Sequence, residues 1–329
     1  MTQPTLGAVA IGRNEGERLK NCLRSLVPHC DRVVYVDSGS SDDSVAFARS
    51  LGVTVVELDR DRPFTAARAR NAGFEALART AMPPDLVQFV DGDCTLEAGW
   101  LQAGRAHLQS HEALGLVTGW RSEMFPDASV YNSLFQADWH RPAGRIRNCG
   151  GDMMVRTVAF QQIGGFNPKV IAAEDDDFCL RLGKAGWELE RLPLQMTRHD
   201  AAMKDFSAWW RRSIRDGHGF AQVGDLHPEY FRRERLRGWI YGLALPAIFW
   251  IGILVWPWLA LAVALIYGVS FLRTLQGYAG RAPVKRRLLG QVALLTLSKI
   301  PNVIGMLTYY LHRRAGKDMH IIEYKQDRR

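Results

Sequence analysis

The chain has 329 residues and a formal net charge of +8. That length holds one large domain, or one domain with an appendage, and the surplus of positive charge points to an anionic partner: nucleic acid, an acidic membrane surface or a phosphorylated ligand. Five cysteines without any Cys-x-x-Cys spacing exclude a zinc knuckle and read as reduced thiols of a cytosolic compartment.

In chain order, the opening stretch MTQPTLGAVAIGRNEG carries no basic segment followed by an apolar one, so no signal peptide is expected. Up to about residue 190, short apolar runs alternate with amphipathic stretches, the pattern of an α/β domain with a largely parallel sheet. Strands are expected at Leu6–Ile11, Arg32–Val36, Thr54–Leu58 and Leu86–Val90. Helices are expected at Glu15–Leu26, Asp42–Leu51 (capped by Ser40 or Ser41) and Ala66–Thr80. In such sheets ligands collect beyond the carboxyl ends of the strands, so Asp37 after the second strand and Asp91 after the fourth should face one crevice.

Composition changes near residue 238. Trp239 to Leu272 carries no charge. As one helix it would be about 50 Å long, too long for a hydrocarbon core of about 30 Å. Split at Trp256–Trp258, where Pro257 breaks the helix, it makes a hairpin of two segments of roughly 16 residues. Arg232–Arg237 precede it and Arg273, Arg281, Lys285, Arg286 and Arg287 follow, which puts both ends in the cytoplasm. A further apolar stretch, Leu288–Leu311, is interrupted by Gln291, Lys299, Pro301 and Asn302 and reads as two helices lying in the cytoplasmic interface. The expected organisation is a catalytic domain over 1–225, a basic linker over 226–238, a membrane hairpin over 239–272 and interfacial helices with a basic tail over 273–329. The membrane accounts for much of the positive charge, and nucleic acid becomes unnecessary as a partner.

The carboxylates carry the chemistry. Asp37, in VVYVDSGSSDDS, can accept hydrogen bonds from a nucleobase or ribose, while Asp42 and Asp43 suit the first turn of the next helix. In FTAARARNAGFEAL, Arg68 and Arg70 stand two apart and cannot share a helix face, so at most one should reach the crevice, where a diphosphate would suit it. Asp91 and Asp93 in VDGDC read either as a polar turn or as a metal site holding a phosphorylated substrate. Gly150 and Gly151 permit close backbone approach to a bound sugar. The run Glu174 to Asp177 opens a helix with four consecutive acids. One would cap it and four repel one another, so some should serve a ligand or hold a raised pKa suited to a general base.

Taken together, an N-terminal strand running into RNE, then VDSGSSDDS, ARNAG, an Asp-x-Asp after a strand, and GGFNP with an acidic run before a helix resemble glycosyltransferase family 2, of GT-A (Rossmann-like) fold. The resemblance covers about residues 5–220. The C-terminal apolar hairpin and the IIEYK at Ile321–Lys325 are similar to its membrane-attached branch in bacterial polysaccharide synthesis. The resemblance implies an inverting transfer from a nucleotide-diphosphate sugar to a hydroxyl of a lipid-linked or saccharide acceptor, with Mn²⁺ or Mg²⁺, at the cytoplasmic side of the bacterial inner membrane. Membrane lipids, and a second copy of the chain, are further expected partners.

It implies roles for individual residues. Asp37 would contact the nucleobase or ribose, and Arg70 or Arg68 the nucleotide. Asp91 would bind ribose or metal-bound water, Asp93 the metal, and His199 a further metal or diphosphate position. Asp175 would be the base, with Glu174 beside it and Asp176 as the alternative register. Trp210 and Arg211, in FSAWWRRSIRDGHG, lie on a helix loosely like the acceptor-site helix of related membrane synthases, or on one resting on lipid headgroups. Ile11, Gly12 and Arg13 replace the family's common Pro-Thr-Tyr, removing an aromatic that often stacks on the base, and Ser38 replaces an acid. Two other functions compete: a sugar-phosphate nucleotidylyltransferase, for which AIGRNEGERL is poor in glycine, and a non-catalytic membrane scaffold, which would tend to lose these acids.

Overall fold

The computed structural model describes residues 3–139, 141–280, 285–317 and 319. It forms two compact units. One runs from the N-terminal residues to Met124 and from Trp139 to Ala201; the other comprises Phe125–Asp138 and the chain from Ala202 onward.

The first unit is built on β1 (Leu6–Gly12), α1 (Glu17–Leu26), β2 (Arg32–Asp37), α2 (Ser44–Ser50), β3 (Thr54–Glu57), α3 (Ala66–Ala78) and β4 (Leu86–Asp91). Then come β5 (Cys94–Leu96), α4 (Trp100–Ser110) and β6 (Leu114–Glu123). After α5 (Val130–Trp139) the sheet resumes with β7 (Gly144–Arg145), β8 (Met153–Arg156), α6 (Thr157–Gln162), α7 (Glu174–Lys184) and β9 (Glu188–His199). The strands order as β3-β2-β1-β4-β8-β6-β9-β5, with β7 paired to β9. The sheet is parallel from β3 to β4 and mixed beyond, where β8 runs antiparallel to β4 and β6 and β5 runs antiparallel to β9.

Strand alternation sends β1 side chains to two cores. Leu6, Ala8 and Ala10 pack with Leu19, Leu23 and Leu26 of α1. Val9 and Ile11 pack with Phe74 and Leu77 of α3 and Phe178 and Leu182 of α7. The α3 helix lies so close that a Cβ on Gly73 would strike Val9 at 2.3 Å. All four expected strands form, within one residue at each boundary. The second helix differs: it begins at Ser44, and neither Ser40 nor Ser41 caps it. Asp42 and Asp43 lie ahead of its first turn, where Asp42 accepts the Ser44 N–H (3.0 Å) and the Gly16 N–H (3.0 Å) and so ties α2 to the start of α1.

The second unit is helical: most of α5, then α8 (Phe206–Leu226), α9 (Arg232–Trp239), a π-turn at Ile240–Ala244, α10 (Leu245–Val255), α11 (Pro257–Ala279), α12 (Leu288–Leu297) and α13 (Lys299–Arg314). Helices α8 and α13 cross backbone to backbone. A Cβ on Gly217 would lie 2.0 Å from the Asn302 carbonyl oxygen, and one on Gly305 would meet the Ile214 carbonyl, the close approach that small residues allow between apolar helices. Among the described residues three segments are long and apolar enough to cross a membrane: Arg232–Val255, Pro257–Ala279 and Leu288–Arg314. Trp250, Leu254, Val255, Trp256 and Trp258 stand exposed around the turn between the first two, a surface that water would not tolerate as one patch.

The hairpin breaks at Trp256–Pro257 as the sequence requires, but its helices extend to Arg232 and Ala279, because the basic flanks continue the helical ladder. The third segment forms two helices, α12 and α13, as its interruptions suggest. Its two halves meet at Ser298, itself helical (φ −53°, ψ −23°), and together they span 27 residues. Arg281 and the Ile321–Lys325 motif lie outside the described residues.

Candidate active site at the carboxyl ends of the strands

Parallel register sets the site. Gly12 of β1 pairs with Asp37 and Ile11 with Asp91, so the two acids end the strands on either side of β1. Asp37 is buried, and its carboxylate accepts the Tyr35 hydroxyl (2.8 Å) and the N–H groups of Gly39 (2.9 Å) and Ser40 (2.8 Å). It thereby shapes the Ser38–Ser40 turn, with about one of its four acceptor positions left over.

Asp91 is held from two sides. Arg70, itself buried, donates from Nη2 to Asp91 Oδ1 and from Nη1 to Glu174 Oε1, both at 2.7 Å, over the face of Phe166. Arg121 donates to Asp91 Oδ2 (3.2 Å) and to Asp152 Oδ2 (3.0 Å from Nε). Burial works against the Arg70 charge, but the carboxylates of Asp91, Glu174 and Asp175 outweigh it and hold the guanidinium above its ordinary range. Burial likewise pushes Asp91 up, and Arg70 and Arg121 bring it below the usual carboxylate range. Asp152 completes the frame, accepting the Asp91 N–H (3.0 Å) and the Thr197 hydroxyl (2.7 Å).

The antiparallel pairing of β5 with β9 sets Cys94 opposite His199 and so brings Asp93 beside the imidazole. Asp93 Oδ2 lies 3.2 Å from His199 Nε2, and Glu123 Oε2 lies 3.3 Å from Nδ1; all three residues are buried. Burial disfavours the imidazolium, yet Asp93 and Glu123 raise the His199 pKa above 6.5. If Nδ1–H donates to Glu123, the Nε2 lone pair faces a carboxylate oxygen, and two acceptors at that distance require a proton or a cation between them. A separation near 3 Å is also that of adjacent ligands on an octahedron with bonds of roughly 2.1 Å, and the backing carboxylate is what metal-bound histidines carry. Donor atoms of Asp93, Cys94 and His199 lie within 4.8 Å of one another, as do those of Asp91, Cys94 and Asp152. Burial raises the Cys94 thiol well above its usual pKa, so it stays protonated and is a poor ligand for a hard cation.

The four acids opening α7 divide their tasks. Glu174 pairs with Arg70, Asp176 accepts the Asn148 amide (2.7 Å), and Asp177 pairs with Arg181 (2.9 Å). Asp175 accepts only the Asp176 N–H (3.1 Å) among the described residues. Burial, then the charges of Asp176 and Glu174, push its carboxyl well above the ordinary range, with Arg70 offsetting them in part. Ala173, just before the helix, sits in the left-handed region at φ 58°, a strain of order 1 kcal/mol of the kind that gathers at functional sites.

Gly151 touches the Arg70–Asp91 pair: a Cβ there would lie 2.2 Å from Arg70 Nη2 and 3.0 Å from Asp91 Oδ2, whereas one on Gly150 would meet nothing within 4 Å. Gly151→Ala is therefore expected to break the pair, costing roughly 1–3 kcal/mol as overpacking does, and Gly150→Ala to be near neutral. Thermal melts of the two variants check this.

Arg70, Asp91, Gly151 and Glu174 thus form one contact cluster, with Asp175 next in the chain, and the Cys94 thiol lies between it and Asp93 and His199, within 4.8 Å of donor atoms of both sets. Arg68 does not join it. It donates to the carbonyls of Asp59 (3.0 Å) and Arg62 (2.8 Å) and braces that loop. Trp210 and Arg211 lie on α8 of the second unit, where Trp210 packs on Phe206. Sequence reasoning missed Arg121, Glu123 and Asp152. For Asp152 a signal existed: an acid between Gly-Gly and the apolar MMV, the start of a strand antiparallel to the one Asp91 ends.

The chain matches the model of Glycosyl transferase family 2 over residues 9–160 and that of Glycosyl transferase family group 2 over residues 89–280. A pre-mycofactocin glycosyltransferase of Mycobacterium tuberculosis is 28% identical over 230 residues, 64% of this chain and 45% of that protein. The chain therefore spans less than half the length of that curated relative. Among solved structures, a mannosyltransferase from Pyrobaculum calidifontis, in complex with GDP-Man and Mn²⁺, superposes with a TM-score of 0.59 at 17% identity, covering 92% of this chain and 88% of that one. Residues 1–349 of S. aureus TarS superpose with a TM-score of 0.51 at 14% identity, covering 95% and 92%. At these identities the likeness is one of fold.

Proposed function

The chain belongs to glycosyltransferase family 2, and we propose that it is a cation-dependent inverting transferase moving a sugar from a nucleotide-diphosphate donor to a hydroxyl of a lipid-linked or saccharide acceptor. The observation that carries the reading is the buried Asp93–His199 contact at 3.2 Å, backed by Glu123. Asp93 and His199 would hold the cation, leaving Asp91, already clamped by two arginines, for the ribose or a bound water. A Mg²⁺ or Mn²⁺ held there would supply positive charge to the diphosphate as the anomeric C–O bond breaks.

The chain's own residues do the rest. Asp37 and its turn receive the nucleoside. Gly151 leaves room for the donor to approach the Arg70–Asp91 pair. Asp175 takes the proton of the acceptor hydroxyl as its oxygen attacks the face opposite the leaving diphosphate, which inverts the anomeric centre through an oxocarbenium-like transition state. In this reading the apolar helices attach the enzyme to the bacterial cytoplasmic membrane, catalytic unit on the cytoplasmic side, in exopolysaccharide, lipopolysaccharide or cell-envelope glycan synthesis.

The test is incubation of the purified full chain with a panel of nucleotide sugars, beginning with GDP-mannose, in membrane extract with Mn²⁺. Nucleoside diphosphate is expected to be released with one donor and not in EDTA. Pyrophosphate formed from UTP and a sugar phosphate would identify a nucleotidylyltransferase. An intact protein that releases nothing from any donor would be a scaffold.

A further inference from the structure

Within the second unit, α9, the π-turn, α11, α12 and the start of α13 line an open pocket of about 780 Å³ that the active-site reading does not use. Its lining is divided. Leu265, Ile266 and Val269 give it an apolar side, and Arg237, Arg273 and Lys299 give it three cations. No acid lines it among the described residues.

Helix register puts Arg237 and Arg273 at one end of the lining, with Lys299 about a turn nearer the hairpin. The α10–α11 hairpin turns at Trp256–Pro257, and Tyr267 donates its hydroxyl to the Tyr241 carbonyl, so those two residues are level. Arg237 lies about one turn beyond Tyr241, and Arg273 rather under two turns beyond Tyr267, both away from the hairpin turn. The Lys299 carbonyl abuts Gly242, whose Cβ would lie 2.0 Å from it, so Lys299 is level with Tyr241 and Tyr267. Arg237 and Arg273 have no hydrogen-bond or ion-pair partner among the described residues. Three positive charges around one pocket, next to low-dielectric helices and without an acid in the lining, favour an anion there.

We infer that this pocket is a binding site for an anionic membrane lipid, whose phosphate head lies among Arg237, Arg273 and Lys299 and whose chain runs past Leu265, Ile266 and Val269. The volume falls in the range of small-ligand sites, roughly 300–1,000 Å³. That suits a phosphorylated head and the first carbons of a chain, with the remainder along the exposed apolar faces of α10 and α11. The Ser270 hydroxyl, at the boundary between the two linings, can donate a hydrogen bond to the head, while that of Thr274 donates to the Ser270 carbonyl (2.8 Å). The inference is independent of the transfer reaction: the site would bind lipid whether or not the first unit is active.

The test is native mass spectrometry of the full chain in neutral detergent, titrated separately with phosphatidylglycerol, a polyprenyl monophosphate, phosphatidylcholine and inorganic phosphate. One molecule of either anionic lipid is expected to bind at least about tenfold more tightly than phosphatidylcholine, at about 1 kcal/mol for each cation near the head. The double variant Arg237→Gln/Arg273→Gln should lose that preference with an unchanged melting temperature, since both side chains are exposed. Leu265→Trp, which fills the apolar side, should lower affinity for both anionic lipids. Equal binding of phosphatidylcholine, inorganic phosphate competing as well as the lipids, or an undiminished preference in the double variant would overturn the inference.

Discussion

Asp175→Asn is expected to lower the rate of transfer by about 10³-fold, within the 10²–10⁴ that a positioned general base contributes, while donor affinity stays within about twofold. Asparagine keeps the shape and the hydrogen bond from the Asp176 N–H but cannot take a proton. Two further readouts distinguish a base from a merely structural acid. The Asp175 carboxyl is raised by burial and by Asp176 and Glu174, so the wild-type rate should climb as pH rises through that raised value, and this acid limb should vanish in the variant. The sign for stability is opposite. Because the folded pKa exceeds the unfolded one, the native state binds the extra proton between the two values, and stability falls as pH rises through the folded pKa. The Asn variant, free of that ionisation, should melt higher than wild type at neutral pH. An inactive variant that melts lower would assign Asp175 a structural role.

The second large effect is expected at Asp93. Asp93→Ala removes the carboxylate that faces His199 Nε2 and should reduce transfer by about 10³-fold or more, given the several kcal/mol a cation gives to a developing phosphate charge. Raising Mn²⁺ should not restore it. Glu123→Gln, one step further from the ion, should weaken metal affinity by about 10–100-fold, as loss of a carboxylate behind a metal-bound histidine does. Initial rates over a Mn²⁺ series for the three proteins measure both effects.

The contrast between what the sequence made legible and what it hid follows the range of the interactions. Strands β1 to β4 are local apolar runs, each closed by an acid or a turn, and the parallel register then carries Asp37 and Asp91 to the same edge. The four-acid run was legible as a group that could not be uniform, but which acid lacks a partner depends on Arg70, Asn148 and Arg181, and Arg70 comes from a distant helix. Arg121, Glu123 and Asp152 were hidden for a similar reason. They sit on β6 and next to β8, strands interrupted by Gly115 and Gly119 or only four residues long, and their burial arises from pairing with β4 and β9. Helical spacing sets Arg68 and Arg70 on different faces, and the loop carbonyls at Asp59 and Arg62 decide which of them turns away. Asp42 and Asp43 misled because acids ahead of a helix and acids inside its first turn have the same sequence pattern.

The cation site is tested most directly by electron paramagnetic resonance titration of Mn²⁺ into the purified full chain with a nucleoside diphosphate present, for wild type and Asp93→Ala. Wild type is expected to bind one Mn²⁺ per chain, more tightly with the diphosphate than without it, and the variant to leave the ion free. Equal binding by both proteins, or full transfer by wild type in EDTA, would contradict a divalent cation between Asp93, His199 and the donor.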